Sequence, residues 1–424
     1  MKCDYACGSN QHNVNRRMFL GTVAGTGLSV LANPLSAKQL ASQQKRVLMV
    51  FLAGGVSQLE TWDPKPGTNT GGPFRAIPTS VPGTHISELL PHTAKWMHKL
   101  ALVRGINTKE DDHGKGSYIM HTGRRQEPAT DYPHFGSVCS KLLTSDDNPL
   151  PGYLTVTPSG SGNQNTKDAT FLGPRHGSVN ISDGKAPANL DKPNGISMDQ
   201  EMQRHALRQA ANEKFLSRRR TAMTEAYTQT YDQAKLLMEK KNLFDITAEP
   251  GPLADKYGRH DFGRHCLLAR RLLEGGATFV KVTHTNYDTH HENFDFHIEQ
   301  LGEFDRPFAS LIEDLDMRGM LDSTLVVVMS EFGRTPNINR NYGRDHWSKA
   351  WSVALAGCGI QKGAVVGKTN ANGTAVVDRE VNGGHLFHTY LKALGLDPKK
   401  NFYIDQRPIP MADPKADIIQ EILL

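Results

Sequence analysis

Cysteine is scarce in this sequence, and the cysteines present are not arranged in pairs. Five occur in 424 residues. Cys3 and Cys7 lie near the amino terminus, whereas Cys139, Cys266 and Cys358 are widely separated. No CxxC pair occurs among the last three, so we expect neither a disulfide framework nor a thiolate metal site. Any bound ion must then be held by histidine, aspartate or glutamate.

Strong charge bias is also missing, as is the composition of a disordered or membrane-embedded chain. The formal net charge is +5, and hydrophobic and charged residues make up 38% and 22%. These values are ordinary for a globular protein, and the length suits one large α/β core or two domains. No dense stripe of lysine and arginine interleaved with aromatic residues occurs, so we expect no nucleic-acid partner.

The amino-terminal residues have the pattern of an export leader. Arg16 and Arg17 precede an apolar run, Met18–Ala32, and small residues near Ala37 suit a signal peptidase. We therefore predict a twin-arginine signal peptide at 1–37, with export to the periplasm or secretion by the twin-arginine translocation machinery. The apolar run is too short to span a bilayer, so we expect no stable membrane insertion after cleavage. A buried helix with a basic start is the alternative interpretation.

Several short, β-branched apolar runs predict the strands of a sheet. They are almost continuously apolar rather than alternating, which indicates burial on both faces and therefore a mostly parallel sheet. Between the third and fourth runs, apolar residues from Leu301 to Leu315 recur at helical spacing and predict a crossover helix packed on the sheet. The predicted strands are Arg46–Gly55, Leu100–Ile106, Thr278–His284, Thr324–Glu331 and Trp351–Gly357.

Two segments interrupt this alternation of strands and helices. Residues Pro158–Asn194 are rich in glycine, serine, asparagine and proline, which predicts long surface loops. Residues Met198–Lys241 are highly charged and rich in alanine, glutamine and glutamate, which predicts one or two long helices. We therefore predict one α/β domain over residues 38–424, with a loop and helical insertion at 158–245.

The first predicted strand ends in a glycine pair that suits a ligand-binding edge. Gly54 and Gly55 allow a tight turn at the carboxyl end of the strand, where α/β proteins place ligands. Ser57 and Gln58 follow at the predicted rim. We treat Ser57 as a candidate catalytic residue and Gln58 as a candidate substrate-binding residue.

A second polar segment follows the second predicted strand. If a helix begins near Gly116, its free amides would favour an oxyanion beside His113. Structural roles for the histidines are the alternative interpretation. The polar residues crowded into this segment are Asp111, Asp112, His113, Ser117, His121, Arg124 and Arg125.

The densest histidine cluster, Thr283–His297, overlaps the end of the third predicted strand. Imidazole with carboxylate is a ligand set that suits zinc, manganese or iron. Asp288 with His290 or His291 would supply two ligands from one turn. A solvated, histidine-rich loop is the alternative interpretation.

The segment after the fourth predicted strand would supply the remaining ligands across the sheet edge. Glu331, Asp345 and His346 are the candidates. A divalent ion at this edge could polarise an ester oxygen or generate hydroxide near neutral pH. Arg334 and Arg344 would neutralise a tetrahedral anion by bidentate hydrogen bonds.

Long motifs in a fixed order are similar to those of a known family of exported bacterial proteins. From Arg46 to the carboxyl terminus the sequence resembles the domain of unknown function 1501, which is related to the alkaline phosphatase and sulfatase superfamily. The resemblance implies a doubly wound, mostly parallel sheet flanked by helices, and a metal-dependent site for phosphate or sulfate esters. The motifs include LAGGVSQLETWDPKPG, DDHGKGSYIMHTGRR, YDTHHENFD, LIEDLDMRGMLDSTLVVVMSEFGRTP and GRDHW.

The resemblance implies that one of two superfamily metal sites is largely kept. YDTHH is similar to the motif that supplies an aspartate and a histidine, which matches Asp288 with His290 or His291. GRDHW offers His346 as the last histidine of the same site. These matches make a one-ion site chemically possible.

The second metal site and the nucleophile depart from the superfamily pattern. VVVMSEFG is similar to the strand that ends in Ser-Asp-His-Gly, which places Glu331 at a metal-binding aspartate and Phe332 at a metal-binding histidine. Ala53 stands where the first strand has a metal-binding aspartate. HGKGSYIMHTGR is similar to the sulfatase stretch that runs from the nucleophilic cysteine to Thr-Gly-Arg, which places His113 at the nucleophile and Ser117 four residues on.

These features predict an exported, metal-dependent hydrolase of phosphate or sulfate esters, with sulfated polysaccharide as a related substrate. In a one-ion site, Asp288, His290 and His346 would bind the ion and His113 would act as acid or base. Zinc, manganese and calcium are not distinguished as the divalent ion. The alternatives are a non-catalytic module that binds polyanions or glycans or serves in assembly, and redox chemistry at the histidine cluster. The remaining candidates are Ser57, Ser117 and Arg344 for catalysis, and Gln58, Arg124 and Arg334 for substrate binding.

Overall fold

A central eight-stranded sheet is the framework of the protein. The computed structural model describes residues 44–424 apart from 129, 160–166, 189, 192–193 and 219–221, so the predicted leader at 1–37 lies outside the described residues. The strands in chain order are β1 Arg46–Leu52, β2 Ala76–Pro78, β3 His85–Ser87, β4 Leu100–Ile106, β5 Tyr153–Thr157, β6 Val179–Ser182, β7 Phe279–His284, β8 Thr324–Met329, β9 Gly333–Arg334, β10 His346–Trp347, β11 Trp351–Gly357, β12 Val365–Val366, β13 Lys368–Thr369, β14 Val376–Asp378, β15 Asn401–Ile404 and β16 Arg407–Pro410.

Helices connect the strands of the sheet and cover both of its faces. None of the helices in the described part of the chain combines the length and the apolar composition needed to cross a membrane. The α-helices in chain order are α1 Pro91–Lys95, α2 His113–Thr122, α3 Phe135–Leu143, α4 Met198–Arg218, α5 Ala222–Glu239, α6 Gly251–Tyr257, α7 Asp261–Glu274, α8 Asn293–Met317 and α9 Gly383–Ala393.

The sheet is mixed and mostly parallel, as predicted. Its strand order is β12-β4-β11-β8-β1-β7-β5-β6. β1 pairs in parallel with β7 and β8, and β5 pairs in parallel with β6 and β7. Helix α8 carries the chain from β7 to β8, which confirms the predicted crossover helix. The predicted strands all form, and each begins within one residue of its predicted start.

One strand runs against the predicted direction. β11 pairs antiparallel with both β4 and β8. The chain leaves β8 at the carboxyl edge, forms the short β9–β10 ribbon and enters β11 from that same edge. No crossover helix returns the chain to the opposite edge, so β11 runs antiparallel to β8. All seven residues of β11 are nevertheless buried, which is why its sequence has the continuous apolar pattern of a parallel strand.

Three strands of the central sheet, β5, β6 and β12, were not predicted, and β6 lies in the segment predicted as loops. β5 is fully buried between β7 and β6, and β6 forms one end of the sheet inside Pro158–Asn194. β6 is only four residues long and has one fully buried side chain, Ile181. The glycine- and asparagine-rich sequence around β6 therefore gave no apolar strand pattern, although a short edge strand forms there.

Alternating side chains of the central strands build two separate hydrophobic layers. In β1, Leu48 and Val50 face a layer that includes residues of α7 and α8. Val47 and Met49 face the opposite layer, which includes residues of α3 and α9. Because successive side chains of a strand point to opposite faces, helices on both sides give the three-layer architecture of a doubly wound sheet.

Helix α8 packs an aromatic ring into its own hydrophobic layer. Phe304 has no exposed surface, and its ring contacts Trp62, Phe262 and Phe308. We expect Phe304→Ala to lower the free energy of unfolding by about 3–5 kcal/mol, because it removes a buried ring and leaves a cavity. Chemical denaturation measures this loss.

Ile298 on the same helix provides the matched control for this substitution. Its side chain is 52% exposed. Ile298→Ala should change the free energy of unfolding by less than about 0.5 kcal/mol. Similar losses in the two variants would contradict the packing of α8 against the sheet.

Candidate metal centre

Residues of the candidate site follow four strands that run in one direction and end at one edge of the sheet. These strands are β1, β7, β8 and β4, the last separated from β8 by the antiparallel β11. Gly54, Asp288, Glu331 and His113 follow their carboxyl ends. The structure therefore brings distant segments together where α/β folds place ligands, as the sequence predicted.

The glycine turn after β1 allows two other loops to approach closely. Gly54 has a φ of +114°, and a Cβ there would lie 2.5 Å from the backbone nitrogen of Asp288. The amide of Gly54 donates a 2.9 Å hydrogen bond to Glu331 Oε1. A side chain at this position would thus displace the strand ends that carry both acids.

Helix α2 begins at His113, three residues before the predicted start at Gly116. The Asp112 side chain caps it by accepting a 2.9 Å hydrogen bond from a backbone amide of the first turn. A Cβ on Gly116 would lie 3.0 Å from the Glu331 carbonyl oxygen. This glycine therefore lets α2 pack against the end of β8, which brings the His113 ring to Glu331.

Three imidazole rings converge on one carboxylate. His113 Nε2 lies 3.3 Å from Asp288 Oδ2. The Nε2 atoms of His290 and His346 lie 3.1 and 3.2 Å from Asp288 Oδ1, and 3.1 Å from each other. Candidate ligand atoms of His113, Asp288 and His346 all lie within 4.8 Å of one another. The predicted His/Asp cluster is therefore present as a group in space.

The far nitrogen of each ring is held by a hydrogen-bond acceptor. His113 Nδ1 lies 2.7 Å from Glu331 Oε1, and His290 Nδ1 lies 2.7 Å from Asp345 Oδ1. His346 Nδ1 lies 2.7 Å from the carbonyl oxygen of Asp111. A carboxylate or carbonyl only accepts, so each Nδ1 donates a proton to its partner and Nε2 is the nitrogen that each ring directs at the cluster. Metal-binding histidines are held in this way.

The spacing and exposure of the cluster fit a bound divalent ion. Converging lone pairs and a carboxylate repel one another unless a cation or extra protons lie between them. A tetrahedral ion with bonds of about 2.0–2.1 Å separates its ligand atoms by roughly 3.3 Å, close to the distances found here. The side chains of His113, His346 and Asp288 are 41%, 24% and 48% exposed, so an ion and a solvent ligand can reach them.

The electrostatic environment keeps the acids of the cluster ionised. Burial alone would raise the pKa of Asp288, but Arg334 and His346 outweigh it and lower that pKa to about 2. The hydrogen bond with His290 lowers the pKa of Asp345. The hydrogen bond to Glu331 raises the pKa of His113 against the opposing effect of burial. Negative charge therefore persists beside the lone pairs at neutral pH, which favours a cation.

Arg334 lies beside the cluster and is fully buried. Its Nη2 lies 2.5 Å from Asp288 Oδ1 and also donates to the Gly54 carbonyl. Its Nε and Nη1 donate to the carbonyls of Gly55 and Arg344 at 2.9 and 3.0 Å. The guanidinium group is thus directed at protein acceptors, whereas the sequence suggested that it would face a substrate anion.

Arg344 is also fully buried, and its main partner is a buried acid. Its Nη2 lies 2.8 Å from Glu60 Oε1, and neither side chain has exposed surface. Its Nε also donates to the Glu60 carboxylate, and its other donors bond to the carbonyls of Thr70, Thr335 and Pro336. This arrangement ties the segment before His346 to two other loops, and it corrects the expectation that Arg344 faces an anion.

Phe332 fills the space beside two of the candidate ligands. Its ring centroid lies 4.9 Å from that of His113 and 4.5 Å from that of His346, and the side chain is fully buried. Ala53, the other departure from the superfamily pattern, is only partly buried. Within the described residues, His113–Asp288–His346 is the one group of three or more potential ligands close enough to share an ion.

Ser57 and Gln58 lie close to the site but are buried in structural contacts. The Ser57 backbone amide bonds to His297 Nε2, and its hydroxyl accepts from the Leu59 amide. Gln58 exchanges hydrogen bonds of 2.8 and 3.0 Å with the backbone of Arg334. Gln58 therefore holds the start of the β9–β10 ribbon.

Ser117 and Arg124 lie farther along the polypeptide from the start of α2. The Ser117 hydroxyl is 3.3 Å from His121 Nδ1, one turn along the helix. Arg124 stacks over the Tyr132 ring and donates to the Pro410 carbonyl at 2.5 Å. These contacts direct both side chains to partners outside the His/Asp cluster.

His291 is separated from the cluster although it follows His290 directly. It forms an isolated β-bridge with Tyr342, and its ring contacts Phe296. Of the two alternatives that the sequence left open, the structure brings His290 to Asp288.

Two functional contacts gave no usable signal in the sequence. The Asp111 carbonyl orients His346 through its backbone, for which any residue would serve. Glu60 neutralises Arg344 across 284 positions of chain. Neither partnership follows a local spacing rule, so only the folded chain reveals it.

Comparison with solved structures finds distant similarity. The lipoteichoic acid synthase LtaP from Listeria monocytogenes is 9% identical at a TM-score of 0.36, with 93% of this chain and 80% of that chain covered. The PsFucS1 sulfatase from Pseudoalteromonas sp. is 12% identical at 0.40, with coverage of 90% and 72%. A protein in the alkaline phosphatase superfamily from Vibrio parahaemolyticus is 12% identical at 0.35, with coverage of 84% and 68%. TM-scores below 0.5 at these sequence identities support no conclusion about the fold or the activity of this chain.

Sequence comparison gives a more direct result. No curated protein matches the chain. The model of the family described as protein of unknown function, DUF1501, matches residues 44–423. This range covers almost all of the chain after the predicted leader and confirms the resemblance drawn from the motifs. The chain therefore belongs to the DUF1501 family.

Proposed function

We propose that this protein is an exported, metal-dependent hydrolase of phosphate or sulfate esters that works with a single divalent ion. The observation that carries the proposal is the convergence of three oriented Nε2 atoms on the Asp288 carboxylate. A divalent ion held there would supply Lewis acidity, which polarises an ester oxygen and favours deprotonation of water.

Asp288, His113 and His346 are the residues that would hold the ion. Glu331 and the Asp111 carbonyl fix the orientation of the two rings. Imidazole-rich sites suit zinc, manganese or iron better than calcium, which prefers oxygen ligands. His113 thus becomes a ligand in this proposal, in place of the acid or base role suggested by sequence.

His290 is the candidate acid–base residue. Its Nδ1 is held by Asp345 at 2.7 Å, and its side chain is 43% exposed. Asp345 also accepts a 3.1 Å hydrogen bond from Asn339, which fixes the acid. The Nε2 atom of His290 is therefore positioned to accept a proton from water and to return one to the leaving alcohol.

Non-catalytic binding of an anionic glycan is the second candidate function. It is favoured by Phe332, a side chain that cannot bind metal, in contact with His113 and His346. The buried Arg334 and Arg344 also leave catalysis without a free guanidinium group from this pair. Measured turnover of an ester would distinguish hydrolysis from non-catalytic glycan binding.

Metal content tests the ligand set. The purified protein should hold about one divalent ion per chain, and His346→Ala should lose it on dialysis because a ligand is removed. His291→Ala is the matched control, since that neighbouring imidazole contacts Phe296 instead of the cluster. Elemental analysis measures both. Equal metal content in the two variants would rule out this ligand set.

Kinetics with aryl phosphate and aryl sulfate esters test the role of His290. We expect His290→Gln to retain the ion but to lower kcat by about 10²–10⁴-fold, because only the proton-transfer group is lost. His291→Ala should keep the kcat of the unmodified protein. If the metal-loaded protein hydrolyses neither ester, the hydrolase proposal fails and glycan binding takes its place.

Cell fractionation tests export. The twin-arginine pair lies at Arg16–Arg17. Replacing both by lysine should retain the protein in the cytoplasm, because the transport machinery reads that pair. Lys2→Gln, which alters a basic residue outside the pair, should leave export unchanged. Equal periplasmic amounts for the double-lysine variant would argue against this route.

A further inference from the structure

Apart from the His/Asp cluster, a polar cavity lies in the domain between the sheet and helices α2 and α3. Its volume is about 60 Å³, and the residues that define its chemistry are Ser117, His121, His134, Asp168 and Lys281. A water molecule needs about 10–15 Å³ of such space, so the cavity holds roughly four waters or one ion with four oxygens.

Lys281 projects from the middle of β7 and supplies the positive charge. Within the described residues, its ammonium group has no ion pair or hydrogen bond to protein, and its Nζ lies 5.8 Å from the centroid of the Phe51 ring. The residue keeps some accessible surface, but burial lowers the pKa of its amine to about 8 despite the opposing effect of Asp168. A desolvated ammonium group without a protein partner favours an anionic ligand beside it.

His121 supplies a hydrogen-bond acceptor. Its Nδ1 lies 2.8 Å from the Ser117 carbonyl, so that nitrogen carries the proton. Burial lowers the pKa of His121 well below its usual value, which keeps the ring neutral and leaves Nε2 as a lone pair. Nε2 is buried and has no partner, and His121 is 3% exposed. The cavity therefore needs a ligand that donates a hydrogen bond as well as one that accepts.

The remaining walls have the same mixed character. Asp168 is 2% exposed and accepts hydrogen bonds of 3.1 and 3.3 Å from the Ser178 amide. His134 lines the cavity and is the N-cap residue of α3, which places the positive end of the α3 dipole near the wall. Burial lowers the pKa of His134 to about 3, which keeps that ring neutral too.

We propose that this cavity is a binding site for a protonated oxyanion, with inorganic phosphate as the ligand that matches it. Phosphate offers charged oxygens to Lys281 and the end of α3, and its O–H groups can donate to His121 Nε2 and Asp168. Sulfate has the same shape but no proton at neutral pH, so it would leave His121 Nε2 without a donor and would place unprotonated oxygens against the Asp168 carboxylate. A site built around acceptors rejects an analogue that lacks the donor. The site is separate from the His/Asp cluster and does not depend on the proposed hydrolase activity.

Calorimetric titration of the full-length, chelator-treated protein tests this site. We expect one equivalent of inorganic phosphate to bind, and sulfate to bind at least about tenfold more weakly. The same titration on His346→Ala should give the same result, since the metal cluster takes no part. Absence of phosphate binding, or equal affinity for the two anions, would overturn the proposal while leaving the proposed hydrolase function intact.

Variants in the cavity locate the binding. Lys281→Met should weaken phosphate binding at least about tenfold, because it removes the charge and keeps the length of the side chain. Lys256→Met is the matched control, as that lysine is 42% exposed and pairs with Glu313. Unchanged affinity in a folded Lys281→Met protein would refute the site.

The relative affinity for phosphate and sulfate in a second variant tests the site even if Lys281→Met fails to fold. Asp168→Asn converts one acceptor into a group that can also donate, while its oxygen can still accept from the Ser178 amide. We expect sulfate affinity to rise relative to phosphate in this variant. An unchanged ratio of phosphate affinity to sulfate affinity would exclude Asp168 as the discriminating group and contradict the proposal.

Discussion

The carboxylate of Asp288 is the point on which the candidate metal centre converges. Three imidazole Nε2 atoms lie 3.1–3.3 Å from its oxygens, and a buried guanidinium group is bonded to one of them. Without a cation or additional protons, the lone pairs of the rings and the charge of the acid repel. The surrounding acceptors nevertheless hold every ring in that orientation, so the protein itself maintains an arrangement that only positive charge stabilises.

Buried arginines provide the rigidity that this arrangement requires. Arg334 bonds the turn after β1 to Asp288, and Arg344 bonds to Glu60 and three loop carbonyls. For Glu60, burial would raise the pKa, but the charge of Arg344 outweighs it and the pKa is lowered. A buried ion pair adds little net stability, yet loss of one partner costs about 3–5 kcal/mol because the other remains uncompensated. The pair is therefore better understood as fixing loop geometry than as binding substrate.

Helix α2 connects the two polar sites of the domain. His113 at its first position contributes to the metal cluster, and His121 two turns later faces the phosphate-sized cavity. Each ring bonds through Nδ1 to an acceptor and presents Nε2 to a ligand space. The environments differ in charge, since His113 faces carboxylates whereas His121 faces Lys281. One helix thus offers lone pairs to a cation at one end and to a protonated anion at the other.

Much of the fold and part of the site could be predicted from residue patterns, because those features depend on local spacing. Continuous apolar runs gave five of the eight strands of the central sheet, helical periodicity gave the crossover helix α8, and polar residues after strand ends gave Asp288, His113 and His346. The direction of β11 was wrong, since burial on both faces leaves the same apolar pattern in either direction. The roles of Arg334 and Arg344 were also misjudged, because an arginine beside acids in sequence can face an anion or a buried carboxylate equally well.

By itself, the sequence determined which chemical groups are available at the carboxyl edge of the sheet and which segments form most of the strands that carry them. Only the tertiary structure decided which nitrogen of each histidine is free, which arginines are buried and which histidine of the His290–His291 pair joins the cluster. These choices depend on hydrogen-bond partners hundreds of positions apart, such as Asp111 with His346 and Glu60 with Arg344. Such contacts form when the strands align, and no short-range periodicity encodes them.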